Sequence, residues 1–282
     1  MKALPRICKA VAVSSFIAFS ALHAEVDSAE SSPESSTSVE SNSAESKGFC
    51  AGAHSNTGCF VGVSVGLSPA TSRLDMTDPV LIITGQPKKE SVTIPLSLDV
   101  GYQWYFAQNA GFRFRGFIGY ENYSAKNMQF KARENANEGN MEIELTSHAL
   151  TYGLEARYLY DFIYGGEHTF GANIGFGVEG SSFFNTGGRK VIQAGSIDAI
   201  VTEPFDMADY TRVTWTSGVG LHYFYKSRHQ ILLSYIYRGY TDELQKGGAM
   251  GRPTQDGGII LTNARVSAFA NHTIQLSYAY KF

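Results

Sequence analysis

Val92, Ile94, Leu96, Leu98, Val100, Tyr102, Trp104 and Phe106 share one parity and are all apolar, while most residues between them are polar or small. Period-two alternation of that length describes a strand with one apolar face; a helix would need apolar residues every three to four positions. Seven further runs repeat the pattern. Residues 59–69 carry Val61, Val63, Val65 and Leu67, and residues 111–124 carry Phe112, Phe114, Ile118 and Tyr120. Residues 145–163 carry Leu150, Tyr152, Leu154, Ala156, Tyr158, Tyr160 and Phe162, and residues 168–183 carry Phe170, Ala172, Ile174, Phe176 and Val178. Residues 210–226 carry Val213, Trp215, Val219, Leu221, Tyr223 and Tyr225. Residues 229–240 carry Ile231, Leu233, Tyr235 and Tyr237, and residues 271–282 carry Ile274, Leu276, Tyr278, Tyr280 and Phe282.

The connections alternate in length. Three are short, at 107–110, 165–167 and 226–228, and four are long, at 70–91, 125–144, 184–209 and 241–270. Short turns on one side and long loops on the other are the layout of an up-and-down transmembrane β-barrel with periplasmic turns and outer loops. The expected fold is therefore all-β: an antiparallel barrel of eight strands over 59–282, with both termini periplasmic. A soluble sandwich has no reason to alternate its loops so regularly or to end its descending strands in aromatic residues. Those ends are Tyr102, Trp104 and Phe106; Tyr158, Tyr160 and Phe162; Tyr223 and Tyr225; and Tyr278, Tyr280 and Phe282. Rings with an apolar body and a polar edge favour the membrane interface. Pro95 falls inside a strand, where it cannot donate to the ladder, and predicts a bulge near the outer rim.

Upstream of the barrel, Lys2, Arg6 and Lys9 precede an apolar run from Ala10 to Leu22 and small residues ending at Ala24. This is the layout of a secretory signal over 1–24, with cleavage after Ala24 or Ala21. Residues 25–58 follow as a flexible periplasmic segment, rich in Ser and Glu up to residue 48 and too poor in apolar side chains to order itself. Cys50 and Cys59 are the two cysteines left after export, and an oxidising compartment predicts a disulfide between them. With 23 Lys plus Arg against 26 Asp plus Glu, and three of the basic residues in the leader, the chain offers no basic footprint for nucleic acid.

The parity opposite the apolar face supplies Asp99, Gln103, Arg113, Arg115, Glu121, Glu155, Arg157, Glu179, Arg212, His222 and Arg238. Eight strands leave an interior that side chains can just fill, so these charges are expected to pair across the axis and not to line a pore. Gly101, Gly153, Gly175, Gly177, Gly218 and Gly220 on the same side would make room for the long Arg side chains. Catalysis at the lipid-facing rim would need a nucleophile beside a base. Ser147 and His148 are adjacent and so lie on opposite faces, and no H-x-S pairing and no metal-ligand spacing occurs. No catalytic residue, metal or cofactor is expected.

The stretches FVGVSVGLS, GFRFRGFIGYENYS, TYGLEARYLYDFIYGGEHTFGANIGFGVEG, GLHYFYKSRHQILLSYIYRG and LSYAYKF resemble the barrel portion of the Helicobacter outer membrane protein family. The resemblance runs from Phe60 to Phe282, the long loops excluded, and implies residence in the outer membrane. The family includes adhesins and porin-like members; residues 25–58 do not read as the large exposed N-terminal domain of the bigger adhesins, which weakens the expectation of adhesion. By resemblance alone, Tyr278, Tyr280 and Phe282 would be the signal read by the barrel-assembly machinery. The expected partners are outer-membrane lipid, that machinery and an extracellular or host ligand at the outer loops. The expected role is surface interaction or adhesion and envelope integrity, with a small porin-like channel as the alternative and a lipid-modifying enzyme behind it.

Overall fold

The computed structural model describes residue 50 and residues 55–77, 82–84, 88–134, 137–194, 197–241, 245–253 and 259–282. The expected signal peptide, and all of the 25–58 segment except Cys50 and residues 55–58, lie outside the described residues. Thirteen strands follow one another among the described residues: β1 (Gly58–Thr77), β2 (Ile82–Thr84), β3 (Lys88–Thr93), β4 (Leu96–Ala107), β5 (Ala110–Glu134), β6 (Asn137–Ile163), β7 (His168–Ala194), β8 (Ile197–Asp206), β9 (Tyr210–Tyr225), β10 (His229–Arg238), β11 (Gln245–Pro253), β12 (Ile259–Phe269) and β13 (His272–Lys281).

Eight of them form a ring of antiparallel pairs: β1 with β4, β4 with β5, β5 with β6, β6 with β7, β7 with β9, β9 with β10, β10 with β13, and β13 back to β1. The last strand lies beside the first, with Val63 opposite Tyr278. Each ring strand therefore spends its backbone donors and acceptors on two neighbours, as a lipid-embedded sheet requires. The three short turns fall where the alternation ends. In the 226–228 turn, Lys226 and Ser227 have φ of 50° and 56°, the left-handed pair of a tight hairpin whose twist matches its strands.

The four long connections differ from expectation. Residues 125–134 and 137–144 continue as β5 and β6, paired out to Glu134 and Asn137, and β7 runs on to Ala194 with β8 folded back along it. The upper half of β1 pairs with β3 and β12, β12 carries β11, and β2 adds to β5. The wall thus continues beyond the membrane as paired sheet where loops were expected. Pro95 produces an interruption between β3 and β4 and not the expected bulge, and its carbonyl accepts the Gly66 N–H at 2.8 Å.

Along one wall the chemistry of the two faces exchanges. Between the turns and the outer rim, apolar side chains point outward, among them Val63, Leu98, Leu154, Phe176 and Val213, while Asp99, Arg115, Glu155 and Arg157 are buried inside. Above that level Leu74, Met128, Phe130, Ile143, Leu145 and Val266 are buried inside as one cluster, and Lys126, Gln129 and Glu144 are exposed outside. The solvent outside the wall explains the exchange, since lipid demands an apolar exterior and water a polar one. Bulges mark the change on two strands, with register shifts in β5 and β7 beside Asn127 and Asn185, whose φ values are 58° and 48°.

A second apolar cluster, with Tyr123 and Phe183, lies below the first. Tyr105, Leu159, Phe224 and Leu232 form a third near the short turns. A lumen that was expected to be polar, small or charged is therefore capped by apolar side chains at both ends. Burying each such large side chain stabilises by about 1.5 to 3 kcal/mol.

Candidate functional site

The charged layer between these caps is built by strand parity, which points one residue in two from each ring strand to the axis. Arg115 on β5 and Glu155 on β6 are register partners, and Arg115 Nη2 lies 2.5 Å from Glu155 Oε2. The same guanidinium reaches Asp99 Oδ1 on β4 at 3.5 Å, while Arg157 Nε pairs with the other Glu155 oxygen. Arg157 also donates to Asn173 at 2.7 Å and Ser234 at 2.9 Å, and Ser64 donates to Asp99. Nearer the outer side, Arg238 lies between two carboxylates, 2.8 Å from Glu121 and 3.1 Å from Glu179. Tyr123 donates to Glu121 and Tyr240 donates to Glu179 at 3.0 Å. Buried charges persist only when paired and hydrogen-bonded, and both groups meet that condition.

Two arginines depart from the expected pairing. Arg113 stands 3.6 Å above the Phe60 ring and donates to Gln103 at 3.3 Å and to Gln230, and no described carboxylate pairs with it. Arg212 donates to Ser267 at 3.2 Å and to the carbonyls of Ala268 and Thr241, with the Tyr240 ring 5.2 Å away. Amide dipoles, carbonyls and a ring face take the place of a carboxylate around both guanidinium groups. The lumen glycines also serve a wider purpose than expected. Gly175 and Gly218 lie against Arg157, but a side chain at Gly101 would meet the Phe60 ring and one at Gly153 the Phe117 ring.

Sequence reading missed Asp161 and Tyr105. His222 Nε2 lies 2.7 Å from Asp161 Oδ1, with both side chains fully shielded, and the Tyr105 hydroxyl donates to the same oxygen at 2.9 Å. The signal was available, because Asp161 shares the parity of Glu155 and Arg157, and Tyr105 that of Asp99 and Gln103. Among the described residues the layer holds a small cavity of about 20 Å³ beside Arg115, Glu155, Glu179 and Arg238, room for one water.

At the end of the wall that carries the short turns, Cys50 and Cys59 are joined by a disulfide with Cα atoms 4.9 Å apart. The Phe282 N–H donates to the Cys59 carbonyl at 3.0 Å, and Tyr278, Tyr280 and Phe282 follow one another down the outward face of the closing strand. Ser147 is buried inside, 2.7 Å from Thr186, whereas His148 lies outside against Tyr120 at 2.6 Å. Among the described residues no cluster of His, Cys, Asp and Glu could hold a metal ion.

The profile of the Helicobacter outer membrane protein family matches residues 97–238, half of the chain. The chain belongs to that family. It is accordingly an outer-membrane β-barrel protein, and the outward apolar band is its lipid-facing surface. No curated protein matches this family member. Among solved structures, OprG from Pseudomonas aeruginosa is similar at 15% identity and a TM-score of 0.42, over 81% of this chain and 98% of its own. Ail of Yersinia pestis, solved with the heparin analogue sucrose octasulfate, is 14% identical with a TM-score of 0.30 over 79% and 99% of the two chains. The Escherichia coli outer membrane protease OmpT is 9% identical with a TM-score of 0.37 over 81% and 97%.

Proposed function

We propose that this barrel is a closed, non-catalytic scaffold that holds its outer hairpins against a ligand outside the cell and contributes to envelope integrity. The observation that carries this reading is the lumen, where, among the described residues, apolar clusters lie at both ends of a layer of buried, hydrogen-bonded charges. A channel would need a continuous polar path, and an enzyme a nucleophile beside its base, whereas Ser147 and His148 occupy opposite sides of the wall. The outer strands favour contact with a partner. Among the described residues β8 is hydrogen-bonded only to β7 and β11 only to β12, and these two outer strands lie near each other at the outer end of the wall. A rigid barrel with projecting elements is also how binding residues are commonly presented.

The test is surface binding with the hairpins shortened. Bacteria displaying the full chain should adhere to cultured epithelial cells more than bacteria displaying a variant that lacks 189–206, with equal amounts of compact, heat-modifiable barrel. Equal adhesion by the two would overturn the reading.

A further inference from the structure

Four histidines on the outer face of the wall make the same contact. His148 Nδ1 lies 2.6 Å from the Tyr120 hydroxyl, His168 Nδ1 2.7 Å from Tyr223, His229 Nδ1 2.8 Å from Tyr278 and His272 Nδ1 2.6 Å from Tyr235. In every case the tyrosine lies two residues before the histidine's register partner on the neighbouring strand: Asn122, Tyr225, Tyr280 and Tyr237 respectively. That offset always puts the tyrosine nearer the middle of the membrane and the histidine nearer its edge. Two pairs lie at the outer rim and two at the periplasmic rim.

This arrangement orients the imidazole. Where the tyrosine hydroxyl donates from the membrane side to Nδ1, the proton of the neutral ring sits on Nε2, the ring nitrogen on the far side. Nε2 then points away from the acyl chains as a donor, and among the described residues it has no hydrogen-bond partner at His168 or His229. At the periplasmic rim these two histidines bracket Tyr225 in one row across β7, β9 and β10. Two strand spacings separate them, about 9.5 Å. The adjoining turn adds exposed Lys226 and Arg228; Lys226 is partly offset by Glu167 at 3.5 Å.

We propose that His168 and His229 are lipid-headgroup sites, each donating through Nε2 to the phosphodiester of a phospholipid in the inner leaflet, with Arg228 supplying positive charge beside His229. The tyrosine beneath each histidine is a positioning residue that sets the tautomer and the ring orientation. An imidazole N–H, a guanidinium and a flanking ammonium at the level of the headgroups suit an anionic oxygen, and the row is too wide for one small ion to bridge.

The full, folded chain in dodecylmaltoside micelles tests this. Addition of phosphatidylglycerol should shift the ¹⁵N resonances of Nε2 at His168 and His229, whereas diacylglycerol of the same chain length, or inorganic phosphate alone, should leave them in place. In native mass spectrometry the His168→Phe/His229→Phe variant should retain phosphatidylglycerol roughly tenfold less well than the wild type, the loss expected for a hydrogen bond to a charged group. The shift measurement needs no variant and holds even if the double substitution impairs folding. Equal shifts with diacylglycerol, equal shifts with inorganic phosphate, or no shift with phosphatidylglycerol would each overturn the proposal.

Discussion

Arg115 and Glu155 face each other in register on adjacent strands, with Nη2 and Oε2 2.5 Å apart inside the barrel. Glu155 also receives Arg157, so one carboxylate bridges two guanidinium groups. Replacing it as Glu155→Gln would strand positive charge in a layer that water hardly enters. Breaking a buried pair in this way typically costs about 3 to 5 kcal/mol. Urea unfolding of the reconstituted barrel should show a loss of that size, and an unchanged midpoint would mean the layer is solvated.

The ring strands were legible because lipid imposes a two-residue period wherever it touches the wall. Val92 to Phe106 reads as one apolar face for that reason, and the structure departs at Pro95 and at a register irregularity between Tyr105 and Ala107. The outer extension was harder to read. In residues 125–145 the apolar members Met128, Phe130, Ile143 and Leu145 point inward, and the bulge at Asn127 shifts the parity of β5 between Ala125 and Met128. Alternation counted in one phase loses the strand at such a point. The charged lumen was legible as a set of residues but not as a set of partners, because Arg113 meets Phe60 and two glutamines and Arg212 meets backbone carbonyls. Which lumen residues meet depends on register and on how the side chains fill the space, neither of which the strand period encodes.

Gly153 lies directly against the Phe117 ring and the Val178 carbonyl. Gly153→Val should destabilise by about 1 to 3 kcal/mol through overpacking. Adding Phe117→Ala should recover part of the loss and no more, because the backbone carbonyl remains. Thermal loss of heat-modifiable migration measures both; full recovery in the double variant would show that the ring alone was limiting.

The disulfide closes a loop with a sequence separation of 9 and holds residue 50 beside the β1–β13 seam. Opening it with Cys50→Ser should cost on the order of 2 to 3 kcal/mol on the chain-entropy estimate. Mass spectrometry without reductant should find the two thiols joined, and free thiols in the exported protein would contradict the pairing.

Phe282 ends the closing strand with an exposed ring and a backbone bond to Cys59 at 3.0 Å. Its deletion should sharply lower the amount of compact barrel in the outer membrane, through loss of an interfacial ring and of the expected assembly signal. Unchanged compact protein on an unheated gel would contradict this.

Single-channel recording in planar bilayers, paired with unfolding of Arg157→Ala, tests the closed lumen most directly. Arg157 links Glu155, Asn173 and Ser234 across the axis. The wild type should show no steady conductance, and Arg157→Ala should lose stability. Reproducible wild-type conductance, with its ion selectivity altered by Arg157→Ala at undiminished stability, would contradict the closed scaffold and identify a channel.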